Sequence, residues 1–242
     1  LAVTAGRHAQ QLVPGNAECA FNLGVSLSAA NESALAIDAY RKAVSLKPFY
    51  LEAWVNLGNL LRENEKVDDS ISAYERALDI DHTCFKAYMG LARAQGDNGC
   101  WRDSLAISKQ ALSIDRDSHD AAFWIGLSLH KLGQVRDAVN AYQKALLFPP
   151  ESALTYLHLG CALEQLHADQ DAILNYRKAI ELDSLMEAAY LCLGSLLQKT
   201  GEIEEAIGSY RKAIEVKPDF ANAYLNLGNV LKEEGEVEEA IG

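Results

Sequence analysis

A chain of 242 residues that is 49% hydrophobic and 23% charged has enough apolar side chains for a folded core, which excludes native disorder. Its 34 acidic side chains outnumber 22 basic ones, and the resulting formal charge of -12 repels duplex nucleic acid and anionic membrane surfaces. Apolar stretches break off well short of the roughly 20 residues that cross a bilayer, and no charged start followed by an apolar block marks a secretion signal.

Five cysteines, Cys19, Cys84, Cys100, Cys161 and Cys192, stand far apart and in odd number. That usage predicts reduced thiols in a cytoplasmic compartment rather than a disulfide framework.

Along the chain one interval recurs. Gly24, Gly58, Gly126, Gly160, Gly194 and Gly228 fall on a register of 34 residues, with Ala92 in the missing position, and a Leu or Ile precedes each. Sixteen residues later comes Tyr40, Tyr74, Tyr142, Tyr176 or Tyr210, with Ser108 as the exception. Three further on stands an alanine every time, from Ala43 to Ala213. A fixed period of this length means stacked supersecondary units.

Taken in order, residues 1–16 match the second half of a preceding unit through Ala2, Val3, Ala9, Leu12 and Pro14. Full units then run 17–50, 51–84, 85–118, 119–152, 153–186 and 187–220, and 221–242 is a truncated one. Leu1 and Gly242 thus fall inside unfinished patterns, which predicts a single array cut from a longer protein.

Places within a unit are numbered 1 to 34. Apolar residues at places 4, 7, 8 and 11 (Trp54, Leu57, Gly58, Leu61) form one helical stripe. A second stripe follows at places 20, 21, 24, 27, 28 and 30 (Ala206, Ile207, Tyr210, Ala213, Ile214, Val216). A short polar break such as Thr200-Gly201-Glu202 separates the two helices, and Pro48, Pro150 or Pro218 ends the second. Glu204, Glu205, Glu238 and Glu239 crowd the start of a second helix, where acidic side chains complement the helix dipole.

Glycine in a helix costs about 1 kcal/mol against alanine, so its recurrence at place 8 predicts the close approach of a neighbouring helix. Alanines at places 20 and 27 serve the same end. No unit can bury its stripes alone, and stability comes from stacking.

This pattern of aromatic, Leu, Gly, Tyr, Ala, aromatic, Ala and Pro resembles the tetratricopeptide repeat, over essentially the whole chain. It is similar to the repeat arm of O-linked N-acetylglucosamine transferases and to bacterial repeat proteins of the same kind. The third unit departs most, through Ala92, Cys100, Trp101 and Ser108, and is expected to be the loosest or to bend the stack.

The resemblance implies an all-α fold, an α-solenoid wound as a right-handed superhelix of antiparallel hairpins whose first helices line a concave groove. It further implies a protein or peptide ligand in that groove. Members that clamp acidic C-terminal peptides carry Lys at place 5, where this chain has Phe21, Val55, Met89, Phe123, Leu157, Leu191 and Leu225. In the sugar-transferase arm, Asn at place 6 forms a ladder along a bound peptide. Asn22, Asn56 and Asn226 match that place, while Gly90, Trp124, His158 and Cys192 depart from it. Asn59, Arg93 and Asn229 at place 9 extend the polar ends, since an amide both donates and accepts.

Between those ends Phe123, Trp124, Leu127, Leu157, His158, Cys161, Leu191 and Cys192 project from places 5, 6 and 9. An apolar groove floor is a candidate contact site. His158, Cys161 and Cys192 could in principle assemble a soft-metal or thiol site, but nothing supplies a fourth ligand, and they are read as small groove-lining residues with no metal and no cofactor. His8, His82, His119, His130 and His167 occupy scattered places and are expected in solvent.

No phosphate-cradling loop, nucleophile elbow or metalloprotease motif is present, so the chain is not expected to be an enzyme. A protein-binding scaffold is the first expectation. The alternatives are a substrate-recruiting arm of a larger glycosyl- or other group-transferase and a module that self-associates through uncapped ends.

Overall fold

A computed structural model of the protein describes residues 2–233, so Glu238 and Glu239 lie outside the described residues. Among the described residues the secondary structure is α-helical without strands, as the two apolar stripes require. The helices fall into two compact units, residues 1–117 and residues 118–242.

The first unit holds α1 (Ala2–Leu12), α2 (Ala17–Ala29), α3 (Ser33–Leu46), α4 (Leu51–Glu63), α5 (Val67–Ile80), α6 (Phe85–Asp97) and α7 (Trp101–Ile114). The second holds α8 (His119–Lys131), α9 (Val135–Ala145), α10 (Ala153–Gln165), α11 (Asp169–Leu182), α12 (Glu187–Thr200), α13 (Ile203–Val216) and α14 (Ala221–Glu233). Each unit is an all-α solenoid: helices pair as hairpins (α2 with α3, α4 with α5, α10 with α11), and within a unit each hairpin packs on the next.

First helices also approach one another, α4 to α6 in the first unit and α8 to α10, α10 to α12 and α12 to α14 in the second. The row of first helices is therefore the closer-packed, inner side of each unit.

The turn inside each hairpin is set by one backbone angle. Asn31, Glu65, Gly99, Gly133, His167 and Gly201, all at place 15, have positive φ, between 58° and 88°. This left-handed conformation stops the first helix and lets the chain double back. Glycine adopts it without strain, whereas Glu65 and His167 do not, which is why no turn signal was visible at those two positions. Second helices then begin with acidic side chains in the first turn, among them Asp68, Asp69, Asp169, Asp171, Glu204 and Glu205, facing the positive end of the helix dipole. Asp69 and Glu205 additionally meet Arg41 and Arg177 of the preceding hairpin at 2.9 and 2.7 Å. Both pairs are exposed, so they contribute little to stability.

What holds a hairpin closed is a tyrosine ring laid on a glycine. A Cβ added at Gly24, Gly58, Gly126, Gly160 or Gly194 would stand 2.6 or 2.7 Å from the ring of Tyr40, Tyr74, Tyr142, Tyr176 or Tyr210 respectively. Each of these tyrosines is buried, as are the alanines at place 27. The third hairpin shows the same constraint inverted. Where the tyrosine becomes Ser108, the glycine becomes Ala92, and both are buried. The close approach expected of the glycines is thus specifically a contact with the second helix of the same hairpin.

Two Gly→Ala substitutions separate this contact from helix propensity. At Gly208, in the middle of α13 with open space around it, alanine should raise stability by up to about 1 kcal/mol. At Gly160 the same methyl group meets Tyr176, and overpacking outweighs the propensity gain, with a net loss of about 1 kcal/mol. Thermal or denaturant unfolding of the two variants should show shifts of opposite sign; equal shifts would remove the ring contact as the reason for the glycine.

Candidate functional site

The residues expected to line a groove all lie on first helices, the inner side. In the first unit Asn22 is exposed on α2, Asn56 is half-buried and Asn59 exposed on α4, and Arg93 is half-buried on α6. In the second unit α8 carries Phe123, Trp124 and Leu127, and α10 carries Leu157, His158 and Cys161. Leu191 and Cys192 follow on α12, then half-buried Asn226 and exposed Asn229 on α14.

Burial divides the apolar set. Phe123 and Leu157 are only 7% and 8% exposed, so they belong to the core beneath the wall and do not present a surface. Trp124, Leu127, His158, Cys161, Leu191 and Cys192 are half-buried and form the wall itself.

The aromatic side chains of α8, α9 and α10 interlock. Phe123 contacts the Tyr142 ring at 5.9 Å, the Trp124 ring edge-on at 6.3 Å and the His158 ring edge-on at 5.5 Å. His158 stacks on Tyr142 at 6.0 Å, and His130 meets that ring edge-on at 6.4 Å. Burial, aided by the neighbouring His130 and Lys131, lowers the His158 pKa to about 4, so His158 is neutral at pH 7. The expectation of a solvated His119 is corrected: its side chain is 10% exposed, stacks on Phe123, and places Nε2 2.9 Å from Thr155 Oγ1.

A relation that the sequence did not reveal ties the tyrosines to this wall. Having crossed its glycine, each ring brings its hydroxyl up among places 9 and 12 of its own first helix and place 6 of the next. Tyr74 donates to Asn59 Oδ1 at 2.6 Å, Tyr176 to Glu164 Oε2 at 2.7 Å and Tyr210 to Gln198 Oε1 at 2.9 Å. Asn56 and Ser28 beside Tyr40, and Asn226 and Ser195 beside Tyr210, offset part of the upward pKa shift that burial gives these tyrosines. Asn56 and Asn226, two of the expected ladder amides, thus lie beside hydroxyls of the fold. Tyr142 differs. Its surrounding residues at places 9, 12 and 6 are Leu127, His130 and His158, and its buried hydroxyl has no hydrogen-bond partner among the described residues.

Burial raises the pKa of all these tyrosines, that of Tyr74 to about 12, so none ionises near neutrality. On the next two hairpins Cys161 and Cys192 are half-buried free thiols packed against the same apolar core. Among the described residues no three His, Cys, Asp or Glu side chains are grouped so as to hold a metal ion.

The tetratricopeptide repeat profile matches residues 21–83, 89–146 and 125–187, and a second TPR repeat profile matches residues 194–235. The chain belongs to the tetratricopeptide repeat family. No curated protein matches this TPR chain closely enough to count as a relative. Solved structures resemble it in fold. In the APC/C hetero-tetramer Cut9-Hcn1 the match has a TM-score of 0.77 at 17% identity and covers 93% of this chain and 45% of that one, so the TPR chain spans less than half of it. A tetratricopeptide repeat protein from Parabacteroides merdae gives 0.75 at 17% identity, covering 93% and 89%. YrrB, described as a TPR protein with an unusual peptide-binding site, gives 0.60 at 21% identity, covering 77% and 96%.

The hydroxyl contacts predict an asymmetry between two like substitutions. Tyr176→Phe strips Glu164 of its donor and should cost about 1 kcal/mol. Tyr142→Phe removes a buried hydroxyl that has no partner, and should leave stability unchanged or raise it by about 1 kcal/mol. Denaturant midpoints of the two variants check this, and an equal loss in both would contradict it.

Proposed function

We propose that this TPR chain captures an extended peptide or helix of a partner protein against the first helices of its second unit. The family supplies the coarser statement: tetratricopeptide repeats are protein-interaction scaffolds rather than catalytic domains, and no helix among the described residues is long and apolar enough to cross a membrane. The observation that carries the finer one is the half-buried apolar strip of Trp124 and Leu127 on α8 and Leu191 on α12.

Side chains of this kind on the inner side of a stack are costly to leave in water and gain from burial against a ligand. His158, neutral and between them, adds a polar contact without adding charge, and exposed Asn229 on α14 offers an amide to a peptide backbone. Asn22, Asn56, Asn59 and Arg93 make a separate, more polar contact surface in the first unit. The overall charge of -12 favours partners with basic residues flanking the bound segment.

Peptides selected by the intact chain from a random display library provide the probe. Trp124→Ala and Leu127→Asp should each weaken the selected peptides tenfold or more at unchanged helix content. Leu174→Asp, 61% exposed on the second helix α11, should leave their affinity alone. Affinities lowered by the α11 substitution but not by the α8 ones would overturn the proposal.

A further inference from the structure

His158 takes place 6 on α10, where the first unit carries Asn22 and Asn56. Its half-buried ring ties α10 to two other helices through rings alone. It lies on Tyr142 of α9 at 6.0 Å with 23° between the planes, and meets Phe123 of α8 edge-on at 5.5 Å. Phe123 in turn holds the Trp124 ring at 6.3 Å, and His130 stands edge-on to the same Tyr142 ring at 6.4 Å. One imidazole therefore sits at the centre of the cluster that backs the apolar strip.

Little around that imidazole would welcome a charge. On α8 the nearest groups are His130 and Lys131, which repel a proton on His158. His119, also on α8, has Nδ1 3.7 Å from the exposed carboxylate of Asp120 and Nε2 on Thr155. On α9 stands Tyr142, whose buried hydroxyl has no hydrogen-bond partner among the described residues. Along α10 itself Cys161 comes next on the same face, followed by Glu164, whose carboxylate accepts from Tyr176 of α11 at 2.7 Å. On α12 the ionisable neighbour of that core is the half-buried Cys192 thiol. Both carboxylates in this set thus have partners of their own, and a protonated His158 would trade water for aromatic rings and cations.

We propose that His158 is a proton-operated latch of the second unit: on taking up a proton it leaves the ring cluster, releases α10 from α8, and so loosens the inner wall. Burial first, then His130 and Lys131, lowers its pKa from the ordinary 6.5 to about 4. The unfolded chain consequently binds the proton more tightly than the folded one, and the stability contributed by the neutral ring is lost as pH falls from about 6.5 towards 4. Loosening belongs to the free chain. Release of a bound peptide, its consequence, rests on the capture proposed above.

Denaturant unfolding of the intact chain at pH 7 and pH 5, set beside that of His158→Phe, tests the latch. Phenylalanine keeps a ring in the stack and cannot take up a proton. Between the two pH values the folding constant of the unsubstituted chain should fall roughly tenfold further than that of the variant. Amide exchange should place the lost protection in α8 and α10. A second readout needs no variant: the His158 Cε1–H resonance, assigned through its contacts with Phe123, should titrate well below the ordinary histidine value. Display-selected peptides, compared with their own affinity at pH 7, should be weakened at pH 5 on the unsubstituted chain and not on the variant. Failure to select any peptide would remove the capture reading and leave the latch to be decided by unfolding and titration. An ordinary His158 titration midpoint, or equal loss of stability in both chains, would overturn the latch.

Discussion

Each hairpin of this protein closes because an aromatic ring on the second helix rests on a backbone that has no side chain beneath it. The glycine at place 8 is not tolerated for its flexibility, since it lies in the middle of a regular helix. It is required because a methyl group there would stand 2.6 or 2.7 Å from the ring. Gly–Tyr and Ala–Ser are two solutions of one packing problem, and Ala92 with Ser108 shows that neither residue changes alone. Gly90 extends the same requirement to the next hairpin, where a Cβ would stand 2.3 Å from the Tyr74 ring.

From that contact the inner wall inherits its chemistry. A tyrosine long enough to cross the glycine delivers its hydroxyl among the side chains of the first helices, so the wall must first satisfy the fold. Asn59, Glu164 and Gln198 do so by hydrogen bonding. Around Tyr142 in the second unit this polar supply gives way to the Phe123, His130 and His158 rings. Leu127, His130 and His158 thus occupy, around Tyr142, the places that polar partners hold around the other tyrosines. The apolar strip is a local departure from a packing rule, confined to particular hairpins.

The helices and their pairing were legible because a 34-residue period repeats the two stripes many times over, and repetition averages out local exceptions. The turns were legible where Gly133 or Gly201 marked them, and hidden where Glu65 or His167 takes the same left-handed angle. Placing groove residues on first helices followed from the resemblance, but depth did not: a helical wheel cannot tell that Phe123 and Leu157 dip into the core while Trp124 and Leu127 stay half-buried. Nor could it tell that Asn56 lies beside Tyr40, because that approach joins different hairpins. His119 was misplaced for the same reason, its partner Thr155 lying on the following first helix.

The central dependence is measurable as a coupling energy between Gly126 and Tyr142, whose hydroxyl has no partner, so that removing the ring removes packing alone. A double-mutant cycle would combine Gly126→Ala with Tyr142→Ser, installing the pair that the third hairpin carries. Alanine should destabilise the chain by about 1 kcal/mol beside the tyrosine and be neutral or stabilising once the ring is gone, a coupling of at least about 1 kcal/mol. Strictly additive losses would contradict the account.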